Sequence, residues 1–172
     1  MDRRAFGTTL LTGALGTVAA PALAQGRYAP MPMGPAERRH AVDTLAVGSV
    51  ALQTSRMAQG RAARPLVRRF ADFEAEEQTT VAQIINEMTG GLPPSPPSPG
   101  DARMMSDLAR ARGDGFDRMY IIGQMDGHRR LLGIQERYLS EGRDPHQRHI
   151  AMLARGRIRE HMADLDRLQS RV

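Results

Sequence analysis

Apolar residues recur at helical spacing in four long segments of the chain. The segments begin at Pro35, Pro65, position 114 and position 145, and each continues for roughly 24–28 residues. Steps of three and four residues place these side chains on one face of a helix. Alternating β-branched runs, which are typical of strands, are absent. The pattern therefore predicts an all-α protein.

Proline and glycine mark the boundaries of these segments. Pro35 and Pro65 suit the first turn of a helix, the pair Asp144–Pro145 suits the start of the last one, and Gly142 suits the end of the third. The five prolines of residues 90–100 favour an extended connection, and residues 101–112 form a short amphipathic segment. We therefore expect an antiparallel four-helix bundle of ferritin-like type, with a Pro-rich crossover and a short extra helix between helices 2 and 3.

Polar side chains interrupt the apolar faces of three helices. The apolar stripe of the second helix consists of Leu66, Phe70, Phe73, Val81, Ile84 and Met88. Glu77 falls inside this stripe and Glu74 lies on its flank, and His161 lies in the apolar stripe of the last helix. In the third helix Gln124 and His128 are four residues apart on one face, with Asp117 seven residues before Gln124. A buried polar group costs free energy unless it has a partner. These side chains are therefore expected to meet in the core.

Imidazole and carboxylate ligands together suit a divalent transition metal. The candidate ligands are Glu77, His128 and His161, with Gln124 and Asp117 as candidate neighbours. The alternative is a Glu–His–Gln hydrogen-bond network that fixes the register of the helices. Asp117 has a further interpretation, a capping box with Asp114 at the start of its own helix, which we favour over a ligand role.

Two weaker metal patterns have simpler explanations. His146 and His149 are spaced i, i+3 at an exposed helix start, which is more often unrelated to metal. Methionines at 31, 33, 104 and 105 are divided between a lead-in and a short amphipathic helix. Their distribution favours a tail and a core over a thioether copper site.

The first 24 residues have the pattern of an export signal. Arg3 and Arg4 precede a modestly apolar run, and Ala22 and Ala24 give a small-x-small cleavage site. The paired arginines with Phe6 resemble a twin-arginine signal, although an ordinary secretory signal remains the alternative. We expect a signal peptide over 1–24, a lead-in over 25–35, a bundle domain over 36–172, and a periplasmic location.

Composition narrows the classes of function. The chain has no cysteine, so disulfides and thiolate chemistry are excluded. All 24 basic residues are arginine, and they are interspersed with 19 acidic residues without a basic tail or an aromatic platform. This distribution argues against a nucleic-acid partner. No motif of a phosphate-binding loop or a catalytic triad is present, so an enzyme is less expected than a non-enzyme.

Three stretches carry a resemblance to a known family. RRFADFEAEEQTTVAQII, FDRMYIIGQMDGHRRLL and IREHMADL, in this order, resemble the exported bacterial ferritin-like domains of unknown function of the DUF4142 type. The resemblance covers about residues 36–170 and implies a periplasmic ferritin-like bundle without an established activity. Many relatives carry Asp-His where this chain has Glu77-Gln78, so one ligand is missing or replaced. The residue pairs that a di-iron site needs are also absent.

Three functional hypotheses remain open. The first is an exported structural, stress-related or interaction protein whose polar core only specifies packing. The second is a metal-binding or metal-dependent redox protein with a mononuclear His/carboxylate site. The third is a small-molecule binder that uses a cavity between helices. The sequence identifies neither a ligand nor an oligomeric state.

Overall fold

The computed structural model describes residues 33–170, and every regular element in that range is an α-helix. The helices are α1 (Pro35–Arg61), α2 (Pro65–Thr89), α3 (Pro99–Arg110), α4 (Gly113–Glu141) and α5 (Pro145–Gln169). The all-α prediction is confirmed. The predicted signal segment and most of the predicted lead-in lie outside the described residues.

The helix ends follow the local chemistry of the chain. Asp144 accepts a hydrogen bond from the Gln147 amide at 2.8 Å, so it caps α5 as its sequence position indicates. Helix α4 begins one residue before Asp114, with Arg112 at its N-cap, so the expected capping role of Asp114 is wrong. Gly142 follows the last residue of α4, as predicted.

Helix α1 packs against α2 and α4, α4 packs against α5, and the short α3 packs against α1 and α4. Side chains link the ends of these helices. Glu37 near the start of α1 accepts a hydrogen bond from the Arg143 amide just after α4, at 2.9 Å. Asp117 near the start of α4 accepts from the amides of Ala63 and Arg64, each at 2.9 Å. The end of α1 therefore lies beside the start of α4.

The apolar core has two parts. The larger part includes Phe70, Phe116, Tyr120 and Leu165, and the smaller part consists of Leu131, Ile134 and Ile158. In α4 and α5, buried polar residues lie between these two parts of the core. His128 and His161 of the candidate site are among them.

Helix α2 is rotated relative to the stripe read from the sequence. Leu66 and Phe73, two apolar members of that stripe, are about half exposed, at 51% and 50%. Glu74 is fully buried, whereas the side chain of Glu77 is 21% exposed. The expectation that Glu74 lies on the flank and Glu77 in the core is therefore wrong, because α2 turns a face with small side chains such as Ala71 inwards.

Within residues 33–170, none of the helices combines the length and the apolar character that crossing a membrane requires.

Candidate metal centre

Three helices each contribute one buried polar side chain to a common point. Glu74 comes from α2, His128 from α4 and His161 from α5, and their exposed fractions are 0%, 1% and 4%. Each residue offers one potential metal ligand atom, and these atoms lie within 4.8 Å of one another. The centre therefore joins α2, α4 and α5 through one buried polar side chain from each helix.

The three ligand atoms are close to one another. Oε2 of Glu74 lies 2.9 Å from Nδ1 of His161 and 3.4 Å from Nε2 of His128. The two ring nitrogens lie 3.2 Å apart. The atoms thus form a compact triangle in a region without solvent.

Each member of the triangle has a second polar atom that contacts a neighbour outside it. Nδ1 of His128 lies 2.8 Å from the backbone carbonyl of Gln124, one turn earlier in α4. Nε2 of His161 lies 3.5 Å from a carboxylate oxygen of Glu77. The second oxygen of Glu74 accepts a hydrogen bond from the Gln78 side-chain amide at 3.0 Å. These outer contacts orient all three side chains towards the centre.

The inner oxygen of Glu74 accepts no well-formed hydrogen bond from the described residues, although His161 is only 2.9 Å away. This separation is within hydrogen-bonding range, and interactions with both imidazoles lower the pKa of Glu74. A buried carboxylate oxygen is costly unless a donor or a cation lies beside it.

Electrostatics in the centre favour an ionised carboxylate. Burial raises the pKa of Glu74, but polar interactions with His128 and His161 outweigh it and lower that pKa to about 2. Burial lowers the pKa of His128, and its interactions with Glu74 more than offset this effect, so the net pKa is raised. The carboxylate is therefore negative at neutral pH.

Glu77 lies at the edge of this centre. Its carboxylate is 2.9 Å from the Arg157 guanidinium and 3.5 Å from His161 Nε2. The side chain of Arg157 is half exposed and also contacts Glu160 at 2.7 Å. Glu77 therefore lies between the buried histidine and the solvent, on the side of the ring opposite the triangle.

The two predicted neighbours have different positions. The side-chain amide of Gln124 donates to Thr54 and Ser55 of α1, at 2.9 and 3.1 Å, while the backbone carbonyl of Gln124 lies 2.8 Å from Nδ1 of His128. Asp117 is buried, but it binds the α1–α2 connection. Gln124 therefore contacts the centre through its backbone carbonyl, whereas Asp117 contacts the α1–α2 connection.

Sequence reasoning missed two parts of the buried polar system. Gln78 was noted only as a departure from the family pattern, yet it supports Glu74. Ser55 lies 2.8 Å from the hydroxyl of Tyr120 and belongs to the network around Gln124. A signal for Gln78 was available, because it follows Glu74 by four residues and shares its helix face.

The exposed histidine pair on α5 is separate from this centre. The rings of His146 and His149 have centroids 6.3 Å apart, and both residues are exposed. They join no carboxylate-containing metal cluster among the described residues. His40 is buried elsewhere, with its ring 2.7 Å from the Gln135 amide oxygen and stacked on Tyr138.

Comparison with known proteins identifies the family. The model of the family described as "Domain of unknown function (DUF4142)" matches residues 20–168. The chain therefore belongs to this family. No curated protein gives a significant match.

A solved structure supports the fold. The crystal structure of a DUF305 fragment from Deinococcus radiodurans is similar to this chain, with a TM-score of 0.73 and 19% sequence identity. The similarity covers 83% of this chain and 100% of the fragment. At this level of identity the likeness concerns the helical fold.

Proposed function

We propose that this member of the DUF4142 family binds one divalent transition metal ion through Glu74, His128 and His161. The observation that carries the proposal is the convergence of three buried ligand atoms within 4.8 Å of one another, while the other polar atom of each residue contacts an outer partner. The sequence favoured a structural or interaction role and ranked metal binding second. We rank metal binding first because the geometry of the centre supports it.

The positions of the ring protons support a metal ion. A backbone carbonyl can only accept, so Nδ1 of His128 carries a proton and donates to Gln124. In the neutral ring, Nε2 then has a lone pair. When Nε2 of His161 carries the proton, it faces Glu77 at 3.5 Å, and the lone pair on Nδ1 then faces Glu74 at 2.9 Å. Two neutral rings and one carboxylate would therefore present three lone pairs to one point. A bound cation would replace the repulsion between these lone pairs by attraction.

The spacing of the ligand atoms also supports a metal ion. Zinc–nitrogen and zinc–oxygen bonds are about 2.0–2.2 Å long. Ligands at such distances are separated by about 2.8–3.1 Å in octahedral geometry and about 3.3–3.6 Å in tetrahedral geometry. The observed separations of 2.9, 3.2 and 3.4 Å span these two ranges. The side chains thus need little rearrangement to bind one ion.

Two imidazoles and one carboxylate are typical of catalytic zinc sites and of non-haem iron sites. Three protein ligands leave at least one coordination position for a water molecule or a small ligand. We assign no reaction to this position. Glu77 acts as the outer carboxylate of His161, and the Arg157 ion pair keeps it in place.

The competing interpretation is a hydrogen-bond network with at least one protonated histidine. The raised pKa of His128, in which Glu74 more than offsets burial, is compatible with it. This network would fix helix register without a cofactor. It requires an N–H on an inner ring nitrogen to point at Glu74, whose inner oxygen accepts no well-formed hydrogen bond from the described residues.

Titration of metal-free protein with Zn²⁺ or Co²⁺ tests the proposal, with binding followed by calorimetry. We expect one site per chain, loss of binding in Glu74→Gln, and retained but weaker binding in Glu77→Gln. Loss of an outer partner typically lowers metal affinity by about 10–100-fold. Equal binding by wild type and Glu74→Gln would refute the assignment of the ligands.

We also propose that the helices form an antiparallel ferritin-like four-helix bundle and that the protein is exported to the periplasm. The contacts of Glu37 with the end of α4 and of Asp117 with the end of α1 support the antiparallel arrangement of these two helices. The arginine pair and the cleavage pattern in residues 1–24 support export by the twin-arginine route. Cell fractionation of wild type and an Arg3→Ala, Arg4→Ala variant tests the export proposal, with cytoplasmic retention of the variant as the expected result.

A further inference from the structure

A cleft lies between α1, α2 and the Pro-rich connection, on the opposite side of Gln78 from the proposed metal. Its volume is about 410 Å³. Binding sites for small molecules usually have volumes of about 300–1,000 Å³. The cleft is thus large enough for a small organic molecule.

The lining of this cleft has no charged side chain among the described residues. A quarter of all residues in the chain are charged, so an uncharged lining on this surface is unusual. Leu45, Leu52 and Val81 supply apolar contacts, while Ser49 and Asn86 supply polar groups. Charged ligands need a partner of opposite charge when they leave water, and this cleft offers none.

Gln78 forms the inner polar wall of the cleft. It is only 7% exposed, and its side-chain NH₂ group already donates to Glu74. Its amide oxygen lies against Gly48 of α1, where a β-carbon would come within 2.5 Å of it. The absence of a side chain at Gly48 therefore allows the amide to lie here, with its position fixed from both sides.

The Pro-rich connection forms the outer wall. Leu92, Pro94 and Ser95 line the cleft, and Leu92 and Ser95 are partly buried. Proline-rich segments are stiff and lose little conformational entropy when they are ordered. The wall is thus largely preformed, and a preformed site reduces the entropic cost of binding.

We propose that this cleft is a binding site for a small uncharged amphipathic molecule. Its apolar part contacts Leu45, Leu52 and Val81, and its polar group hydrogen-bonds at the wall formed by Gln78. The cleft shares the Gln78–Glu74 hydrogen bond with the metal centre, but none of the three ligands lines it, and binding there does not require an ion.

The test uses the full mature chain and the neutral dye Nile red as probe, followed by fluorescence. Ala82→Trp and Ser49→Phe fill the cleft from α2 and α1 respectively, and both positions are half-buried. Ala109→Trp places the same bulk on an exposed position of α3 and is the matched control. We expect saturable binding by wild type and the control, and binding at least about tenfold weaker in both filled variants.

Two further measurements show which groove holds the dye and whether the cleft prefers uncharged molecules. A second groove, between α2 and α5, is lined by Phe73 and has a volume of about 360 Å³. Loss of dye binding in Phe73→Ala would assign the dye to that groove and overturn the proposal, as would unchanged binding in the filled variants. Equally tight binding of the sulfonate dye ANS at the cleft would overturn its preference for uncharged molecules.

Circular dichroism identifies any filled variant that does not fold, and the other variant then decides the outcome.

A His128→Ala, His161→Ala variant separates this proposal from the metal site. We expect it to bind Nile red as wild type does. Loss of binding in this folded variant would show that the cleft depends on the centre and would contradict the independence proposed here.

Discussion

Nε2 of His128 lies 3.2 Å from Nδ1 of His161, although the two residues are 33 positions apart on different helices. Both rings are buried, and Oε2 of Glu74 lies within 3.4 Å of each nitrogen. The outer contacts of the rings are made by their other nitrogens. This relationship makes the centre a candidate metal site and distinguishes it from a chance meeting of polar side chains.

The Asp117 carboxylate anchors the α1–α2 connection, so its removal should destabilise the fold. Asp117→Ala leaves the amides of Ala63 and Arg64 without their acceptors. Hydrogen bonds to a charged group contribute about 1.5–3 kcal/mol each, so we expect the loss of two to lower the free energy of unfolding by about 3–6 kcal/mol. Urea denaturation measures it, and Asp114→Ala, on an exposed residue, is the control. Equal stability of the two variants would contradict the anchoring role.

Gly142 and Gly133 should respond in opposite directions to the same substitution. A β-carbon at Gly142 would lie 2.0 Å from the Tyr138 ring, whereas at Gly133, inside α4, it meets no atom within 4 Å. Gly142→Ala should therefore cost about 1–3 kcal/mol, because the ring must move. Gly133→Ala should gain about 0.5–1 kcal/mol, because alanine favours helix. Thermal unfolding of both variants checks these signs, and a stabilised Gly142→Ala protein would disprove the predicted clash.

Asp101 should make the attachment of α3 dependent on pH. The hydrogen bonds from Arg130 lower the pKa of Asp101, against the smaller opposing effect of burial, and Ser98 adds to the lowering. A lowered folded-state pKa stabilises the protein above the ordinary value of 3.8, and this contribution is lost as pH falls through the folded-state pKa. We expect Asp101→Asn to cost about 0.5–1 kcal/mol at pH 7.

The control for this prediction is Asp107→Asn, whose carboxylate forms an exposed pair with Arg110 on the same helix. It should change stability by less than about 0.5 kcal/mol. Urea denaturation across the acidic range should show the difference between wild type and Asp101→Asn disappearing below pH 3.8. A difference that stays constant down to the lowest pH would exclude an ionic origin.

The sequence predicts the helices better than it predicts the rotation of α2. Prolines and Asp144 mark helix starts by local chemistry, so the boundaries at Pro35, Pro65 and Pro145 are confirmed. The orientation of α2 depends on packing against α1. Its inner face carries Ala71 and small or polar neighbours, which a search for large apolar residues does not detect.

This rotation of α2 explains why Glu74, which was expected on the flank, is buried in the core, and why Glu77 lies at its edge. The two positions are three residues apart, so their side chains point only about 60° apart around the helix. In the sequence, Leu66 and Phe73 place the predicted apolar stripe on the side of α2 that carries Glu77. In the structure both residues are about half exposed, on the side of α2 that faces solvent. His128 and His161 were predicted as buried because larger apolar residues surround them on their own helices.

The most direct test of the account is elemental analysis of mature protein exported by its native host and never exposed to a chelator. Wild type and Glu77→Gln should each contain close to one transition metal ion per chain, and Glu74→Gln and the His128→Ala, His161→Ala variant should contain almost none. Absence of metal from folded wild-type protein would contradict the account. The buried centre would then be a hydrogen-bond network that fixes the helix register.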